Sequence, residues 1–336
     1  MPSAPLRVPF ITDGFVRSLQ TPVSLPVNMI AEATPLREPV AGAAQQGFRD
    51  IHYGRPGLVS GTNVGTGPIR GIVAGPPALG QAYYYVTGQS IRRADGFIQG
   101  TVTGADRVRF AVSRSQMVVV ADGTAYLYDG TGGSLGFKAI TGLAGPVVDV
   151  AYLAGRFVYA MRDTDQFWYS EINDGANIPG LNFATAESFA DRVVGIGVLN
   201  EALVFFGQAS VEFWSTSADA AAPFAPTLGR GFQRGCVSRD GIAFLDNDLF
   251  WVADNDVVYR AQNAPTRISS SSIEDKIRQC AAKASISAFS ATFEGHEFYV
   301  LNLPGVGSYA YDASRVGTAT GAYGSSYGRG EWAEWR

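Results

Sequence analysis

From about Gly71 onward, apolar and aromatic residues fall in short runs separated by Gly, Asp and Asn. Short apolar runs bounded by turn residues predict strands rather than helices. The runs also repeat. Six units share one order: a first strand, a tight turn, an apolar second strand, another turn, and a third strand rich in Tyr or Trp. The second unit takes 108–112, 117–120 and 125–128, with Asp122-Gly123 between its last two strands as a two-residue hairpin signal. The fourth takes 194–199, 202–206 and 210–215. Units begin near residues 71, 108, 147, 194, 241 and 286, a period of about 37 to 47 residues. A small antiparallel sheet cannot bury both of its faces alone. Stacking six radially buries them and leaves only short edges. The expected fold is all-β: a β-propeller of six blade-like units with an extended N-terminal arm and a peripheral helix.

The first 65 residues read differently. Pro2, Pro5, Pro9, Pro22, Pro26, Pro35, Pro39 and Pro56 are spread through them, and proline removes a backbone donor and disfavours helix before it. The expected division is an extended arm and entry strand over 1–65 and a propeller over 66–336. Phe10, Ile11, Phe15, Leu25, Val27 and Met29 make the arm too apolar for a solvated linker. These six are the candidate assembly residues, because burying such a side chain contributes roughly 1.5–3 kcal/mol. Two inserts interrupt the β rhythm. A short helix is expected near 184–192. A firmer one spans 271–284, with Ser271 as cap, Glu274 three residues on, and Ile273, Ile277, Cys280 and Ala284 at helical spacing. Ring closure is expected from the two termini, with segments 56–60 and 331–336 completing a common blade.

Composition narrows the function classes. Lys+Arg 26 against Asp+Glu 30 gives a net charge of −4, which is not the footprint of a polybasic nucleic-acid binder. No apolar run reaches the ~20 residues that a membrane-spanning helix needs. The first residues lack the charged-then-apolar pattern of a secretory signal. Cys236 and Cys280 are too few for a disulfide scaffold and suit a reducing compartment. His52 and His296 share no metal-like spacing with either cysteine. Asp246-Asn247-Asp248 and Asp254-Asn255-Asp256 read as Asx turns rather than calcium loops. Glycoside hydrolysis needs paired carboxylates. Asp149, Glu201, Asp240 and Glu294 are the candidates, and nothing in the sequence places them together. No catalytic, metal or cofactor constellation is expected. A glycan-binding or glycan-cleaving propeller at a host surface is the alternative from another class.

The ordered segments Val194-Gly195-Ile196-Gly197, Leu203-Val204-Phe205-Phe206-Gly207 and Ser210-Val211-Glu212-Phe213-Trp214-Ser215 resemble the packaged-DNA-stabilisation family of short-tailed bacteriophages. Leu25-Pro26-Val27-Asn28-Met29, Ser272-Ile273-Glu274, His296-Glu297, Leu303-Pro304, Tyr311-Asp312-Ala313-Ser314 and the Trp332/Trp335 strand match in the same order. The likeness covers about residues 25–335. It implies a non-enzymatic virion component made in the host cytoplasm: a tail hub or nozzle subunit in a hexameric ring. The ring would sit below the portal and adaptor, meet a tail needle, spike or fibre, and pass double-stranded DNA without sequence-specific binding. Members of the family continue past the Trp-containing strand, so six and seven blades both fit the resemblance.

Overall fold

The computed structural model describes residues 65–131, 136–186, 191–262, 264–314 and 331–335, together with the backbone of short stretches between 15 and 54. Six four-stranded antiparallel sheets follow one another along the chain. Blade 1 comprises Ile69–Ala74, Tyr83–Thr87, Ser90–Arg93 and Ile98–Thr101. Blade 2 comprises Arg109–Val112, Met117–Ala121, Thr124–Tyr128 and Phe137–Ala139. Blade 3 comprises Val147–Leu153, Arg156–Met161, Gln166–Tyr169 and Phe183–Thr185. Blade 4 comprises Val193–Leu199, Ala202–Gly207, Val211–Thr216 and Phe224–Phe232. Blade 5 comprises Ala243–Leu245, Asp248–Val252, Val258–Ala261 and Pro265–Arg267. Blade 6 comprises Ser287–Phe293, His296–Leu303, Gly307–Asp312 and Glu331–Trp335. In every blade the strands pair in chain order, from the axis outward.

The second strand of each blade explains why the sheets stack. In blades 2 to 5 every residue of that strand is buried. Successive strand side chains point to opposite faces, and here each face is an interior. Met117, Val119 and Ala121 enter the core shared with blade 1, while Val118 and Val120 enter the core shared with blade 3. Phe157, Tyr159 and Met161 face blade 2, and Val158 and Ala160 face blade 4. Leu249 and Trp251 pack on blade 4, and Phe250 and Val252 on blade 6. Five cores thus join consecutive blades. Among the described residues, the cluster on the outer side of blade 6 (Phe298, Val300 and Ala310) draws only on blade 6 itself.

Local chemistry sets the turns and the helix. Asp122 and Gly123 take φ of 46° and 81°, the left-handed pair that a two-residue hairpin requires, and Ala121 pairs with Thr124 across it. The helix Ser271–Gln279 is capped by Ser270, whose hydroxyl accepts the Ile273 N–H at 3.3 Å. The cap is therefore one residue earlier than the sequence pattern predicts. Glu274 does not reach back to the cap. Its carboxylate accepts two Arg267 N–H groups at 2.7 Å each and the Ser269 hydroxyl at 2.8 Å, a charge-assisted fork stronger than a capping box. Ile273, Ile277 and Cys280 pack into the core between blades 5 and 6. The helix ends at Gln279, and Ala284 falls in a separate 3₁₀ turn, Lys283–Ser285.

Two further expectations are corrected. Ala184 and Thr185 form the outermost strand of blade 3 rather than the start of a helix; residues 187–190 lie outside the described residues. Every blade also carries a fourth strand, where the sequence pattern predicts three. These outer strands are mostly short and half exposed, so they leave no apolar run to detect. The terminal strand Glu331–Trp335 completes its own blade by pairing with Gly307–Asp312, so the described residues contain no exchange of strands between termini. Segment 56–60 lies outside the described residues. The arm meets the ring elsewhere: Val27 forms a parallel bridge with Glu334 on the outer edge of blade 6, and the hairpin Met29–Pro35 with Phe48–Gly54 follows it.

Trp332 holds that last strand. It is 1% exposed, donates Nε1–H to the Ile268 carbonyl at 2.9 Å, and packs against Tyr311 with ring centroids 5.3 Å apart. Trp332→Ala is expected to cost about 3–5 kcal/mol. Urea denaturation should show this as a lowered midpoint with an unchanged slope.

Candidate functional site: the charged end of the central channel

The inner strands surround a cavity of about 610 Å³. Its walls are mostly small or apolar, with Ile72, Val73, Phe110, Val198, Phe244 and Ala288 contributing. Gly197 allows the close approach of Phe244, because a Cβ there would collide with the phenyl ring. At the end where the inner strands begin, the lining changes to Arg109, Asp149, Arg239 and Asp240.

Each of these side chains is held across blades. Arg109 opens the inner strand of blade 2 and lies 3.0 Å from Asp240 and 3.9 Å from Asp149. It also donates to the Arg239 carbonyl. Arg239 lies in the turn that leads into blade 5. It reaches back to the Val148 carbonyl at 2.7 Å and the Arg107 carbonyl at 2.9 Å. One guanidinium thereby ties blade 5 to blades 2 and 3 across the axis. Asp149 accepts the N–H groups of Val150 at 2.9 Å and Ile196 at 3.2 Å, the latter from blade 4. Arg70, 3% exposed, fixes the connection between blades 1 and 2 through the carbonyls of Asp106, Gly88 and Thr103 at 2.6, 2.9 and 2.8 Å.

Of the four carboxylates considered for hydrolysis, the structure brings two together. Asp149 and Asp240 share Arg109, while Glu201 and Glu294 sit at positive φ in the hairpin turns of blades 4 and 6. An acid–base pair must exchange protons with substrate and water. Asp149 is buried and its oxygens already serve backbone N–H groups and arginine, and Asp240 is bonded to two arginines. This arrangement locks a channel end. Asp149 and Asp240 are among the sequence candidates; Arg109 and Arg239 are not. The available signal was an arginine opening an otherwise apolar inner strand.

The remaining candidates resolve as local structure. Asp248 pairs with Arg260, and Asp256 pairs with Lys283 at 2.5 Å. Asp254 accepts the Gly235 N–H at 3.1 Å. Among the described residues no cluster of three metal-ligating side chains occurs. Cys236 and Cys280 are both buried free thiols, and burial pushes the Cys236 thiol up to about 12. His296 Nδ1 is 2.6 Å from Asp312. Of the six arm residues, Phe10, Ile11 and Leu25 lie outside the described residues. Phe15 opens a two-residue strand and Met29 a seven-residue one, and Val27 makes the bridge to Glu334.

Burial raises the Asp149 carboxyl above its ordinary 3.8, against the opposing pull of Arg109 and Arg239. A carboxyl raised in the folded state contributes stability that is fully present below its unfolded value and is lost as pH rises through the folded value. Asp149→Asn cannot titrate. The stability of the wild-type protein relative to Asp149→Asn should therefore fall as pH rises above the ordinary carboxylate value of about 4, by at most about 1.4 kcal/mol per pH unit, and level off once the folded-state value is passed. Paired urea titrations across that range check it; a constant difference would refute the assignment.

The family whose profile this chain matches has the same architecture. The profile of the family described as "Bacteriophage P22 Gp10, beta-propeller" matches residues 16–323. The tail hub protein gp10 of Salmonella phage P22 is 28% identical over 305 residues, covering 83% of this chain. The chain spans 60% of the length of that relative. Among solved structures, the computationally designed Ika8 protein is similar at a TM-score of 0.44 and 13% identity, covering 73% of this chain and 70% of Ika8. Hsv2 of Kluyvelomyces marxianus is similar at 0.42 and 11%, covering 69% and 75% of the respective chains. With its six consecutive blades and a match over nearly its whole length, this chain belongs to the bacteriophage P22 Gp10 β-propeller family.

Proposed function

We propose that this protein is a structural subunit of a phage tail hub that helps retain packaged DNA and forms part of its exit channel. The observation that carries the reading is the match to P22 tail hub protein gp10 over 305 residues. The site supports a non-enzymatic role, since its two neighbouring carboxylates are held by arginines rather than poised for proton transfer. A ring of copies would lie below the portal and its adaptor, with a needle, spike or fibre beyond. Double-stranded DNA would pass through the ring, not through a propeller whose own axis is spanned by Arg239. Every phosphate neutralised strengthens salt-dependent attachment, so a net charge of −4 suits a conduit that must release its cargo.

The test is direct. Virions of a phage carrying this gene should contain the protein, and gold-labelled antibody should mark one vertex in electron micrographs. A nonsense mutant should give heads that fill and then lose DNA. Absence from virions, or mutant particles that keep DNA and full infectivity, would overturn the reading.

The arm has its own part in this proposal. Its residues Phe10, Ile11, Phe15, Leu25, Val27 and Met29 pack against a neighbouring copy or the adaptor ring, starting from the blade 6 edge where Val27 is tethered. Deleting residues 1–30 should leave a folded propeller, as gel filtration would show, that no longer docks in tail reconstitution. Normal docking of the truncated protein would make the arm a local strap.

A further inference from the structure

Large exposed apolar side chains form groups of three on blades 1 and 3, whereas blades 4 and 6 expose single ones, Leu228 and Phe289, and Ile69 and Ile72 lie on the inner strand of blade 1. Phe97, Tyr83 and Ile98 of blade 1 are 66%, 61% and 50% exposed, and Leu181, Ile172 and Phe183 of blade 3 are 86%, 59% and 43% exposed. Among the described residues, blades 2 and 5 expose no large apolar side chain of this kind. Single exposed apolar residues need no explanation, but clusters rimmed by polar groups mark interaction surfaces.

The two clusters share a position within their blades. The first and third strands of a blade run in the same direction. The turn after Arg93 and the loop after Tyr169 therefore both lie at the end where the inner strands finish. This end is opposite the arginine–aspartate cluster. Both clusters are also peripheral, each beside the outermost strand of its blade. Hydrogen bonds knit each one together. In blade 1, Arg93 N–H donates to the Phe97 carbonyl at 3.0 Å and Ala94 N–H to the Tyr83 carbonyl at 2.8 Å. In blade 3, Asn182 donates to Glu171 at 3.3 Å, which brings Leu181 and Phe183 beside Ile172.

Their charges are complementary. Beside the blade 1 cluster stand Arg92 and Arg93 against Asp95, with the Arg93 guanidinium 5.9 Å from the Phe97 ring. Beside the blade 3 cluster stand Glu171 and the exposed Asp174 against Arg156. One rim carries an excess positive charge and the other an excess negative charge. Their apolar centres match in kind.

We propose that these rims are the two halves of a head-to-tail interface, blade 1 of one copy seating against blade 3 of the next. The inference rests on the ring-forming hub reading and names the surfaces that build the ring. A closed ring of identical subunits needs two different, mutually complementary patches.

The test uses Phe97→Glu, Leu181→Glu and an equal mixture of the two, with the full chain throughout. Both side chains are exposed, so the variants should fold, as unchanged circular dichroism and melting temperature would show. Sedimentation velocity should find wild type in closed rings and each variant monomeric, its self-association weakened at least about thirtyfold. The mixture is decisive. Phe97→Glu keeps an intact blade 3 rim and Leu181→Glu an intact blade 1 rim, so together they should form a discrete dimer and nothing larger. Variants that still form rings, or a mixture that stays monomeric, would overturn the interface while leaving the hub reading intact. A wild-type chain monomeric at every concentration would overturn both the interface and ring formation.

Discussion

Blades 2 to 5 of this propeller bury their second strands only because each has a neighbour on both sides, and the remaining architecture follows from that requirement. A strand such as Arg156–Met161 is buried at every position, yet its side chains alternate between two separate cores. Removing either neighbour would expose half of an apolar run, at a cost of roughly 25 cal/mol per Å². The stack is thus cooperative between blades, and most outer strands can be short and half exposed, whereas Phe224 of blade 4 and Trp332 of blade 6 carry their outer strands into the cores. Large rings fill the shared cores. Trp251 sits between Phe206 and Tyr259, and Phe250 stacks on Tyr299. Glycines on the inner strands admit such rings where the radius is smallest.

Stacking by apolar cores leaves the axis as a problem, since six inner strands converge with backbone and polar groups facing inward. At the charged end, the solution is electrostatic. Arg109 and Arg239 cross between blades and satisfy carbonyls and carboxylates that burial would otherwise leave unpaired. Burial of unpaired polar groups is costly, so a partly enclosed network must satisfy most of its donors and acceptors to be tolerated. This one draws on blades 2 to 5. It cross-links non-adjacent blades, which the apolar cores cannot do because each joins only consecutive sheets.

The propeller is therefore held in two ways, by apolar cores between consecutive blades and by the charged cluster across the axis. Most of its channel charges are engaged in holding the blades together, and the proposed contacts with other molecules fall on the rims and the arm. The arm is already tied to the edge of the last blade through Val27. An edge strand with unpaired backbone groups is a template for further pairing, and here it is at least partly covered by the same chain.

The repeat, the order of strands and the two-residue hairpins are legible in the chain alone, because they follow from local chemistry. Apolar runs such as Met117-Val118-Val119-Val120 become doubly buried strands, and Asp122-Gly123 tolerates left-handed backbone. The helix is legible too, through the spacing of Ile273 and Ile277. Other features exist only once the blades have closed. Glu274 reads as half of a capping box, but Arg267, brought close by the last strand of blade 5, offers it a stronger charged fork. Phe183–Thr185 is a strand because the edge formed by Gln166–Tyr169 is there to pair with it. The channel cluster is invisible in sequence for a geometric reason. Arg239 bonds groups 91 and 132 residues away, and only closure of the blades around a common axis makes them neighbours.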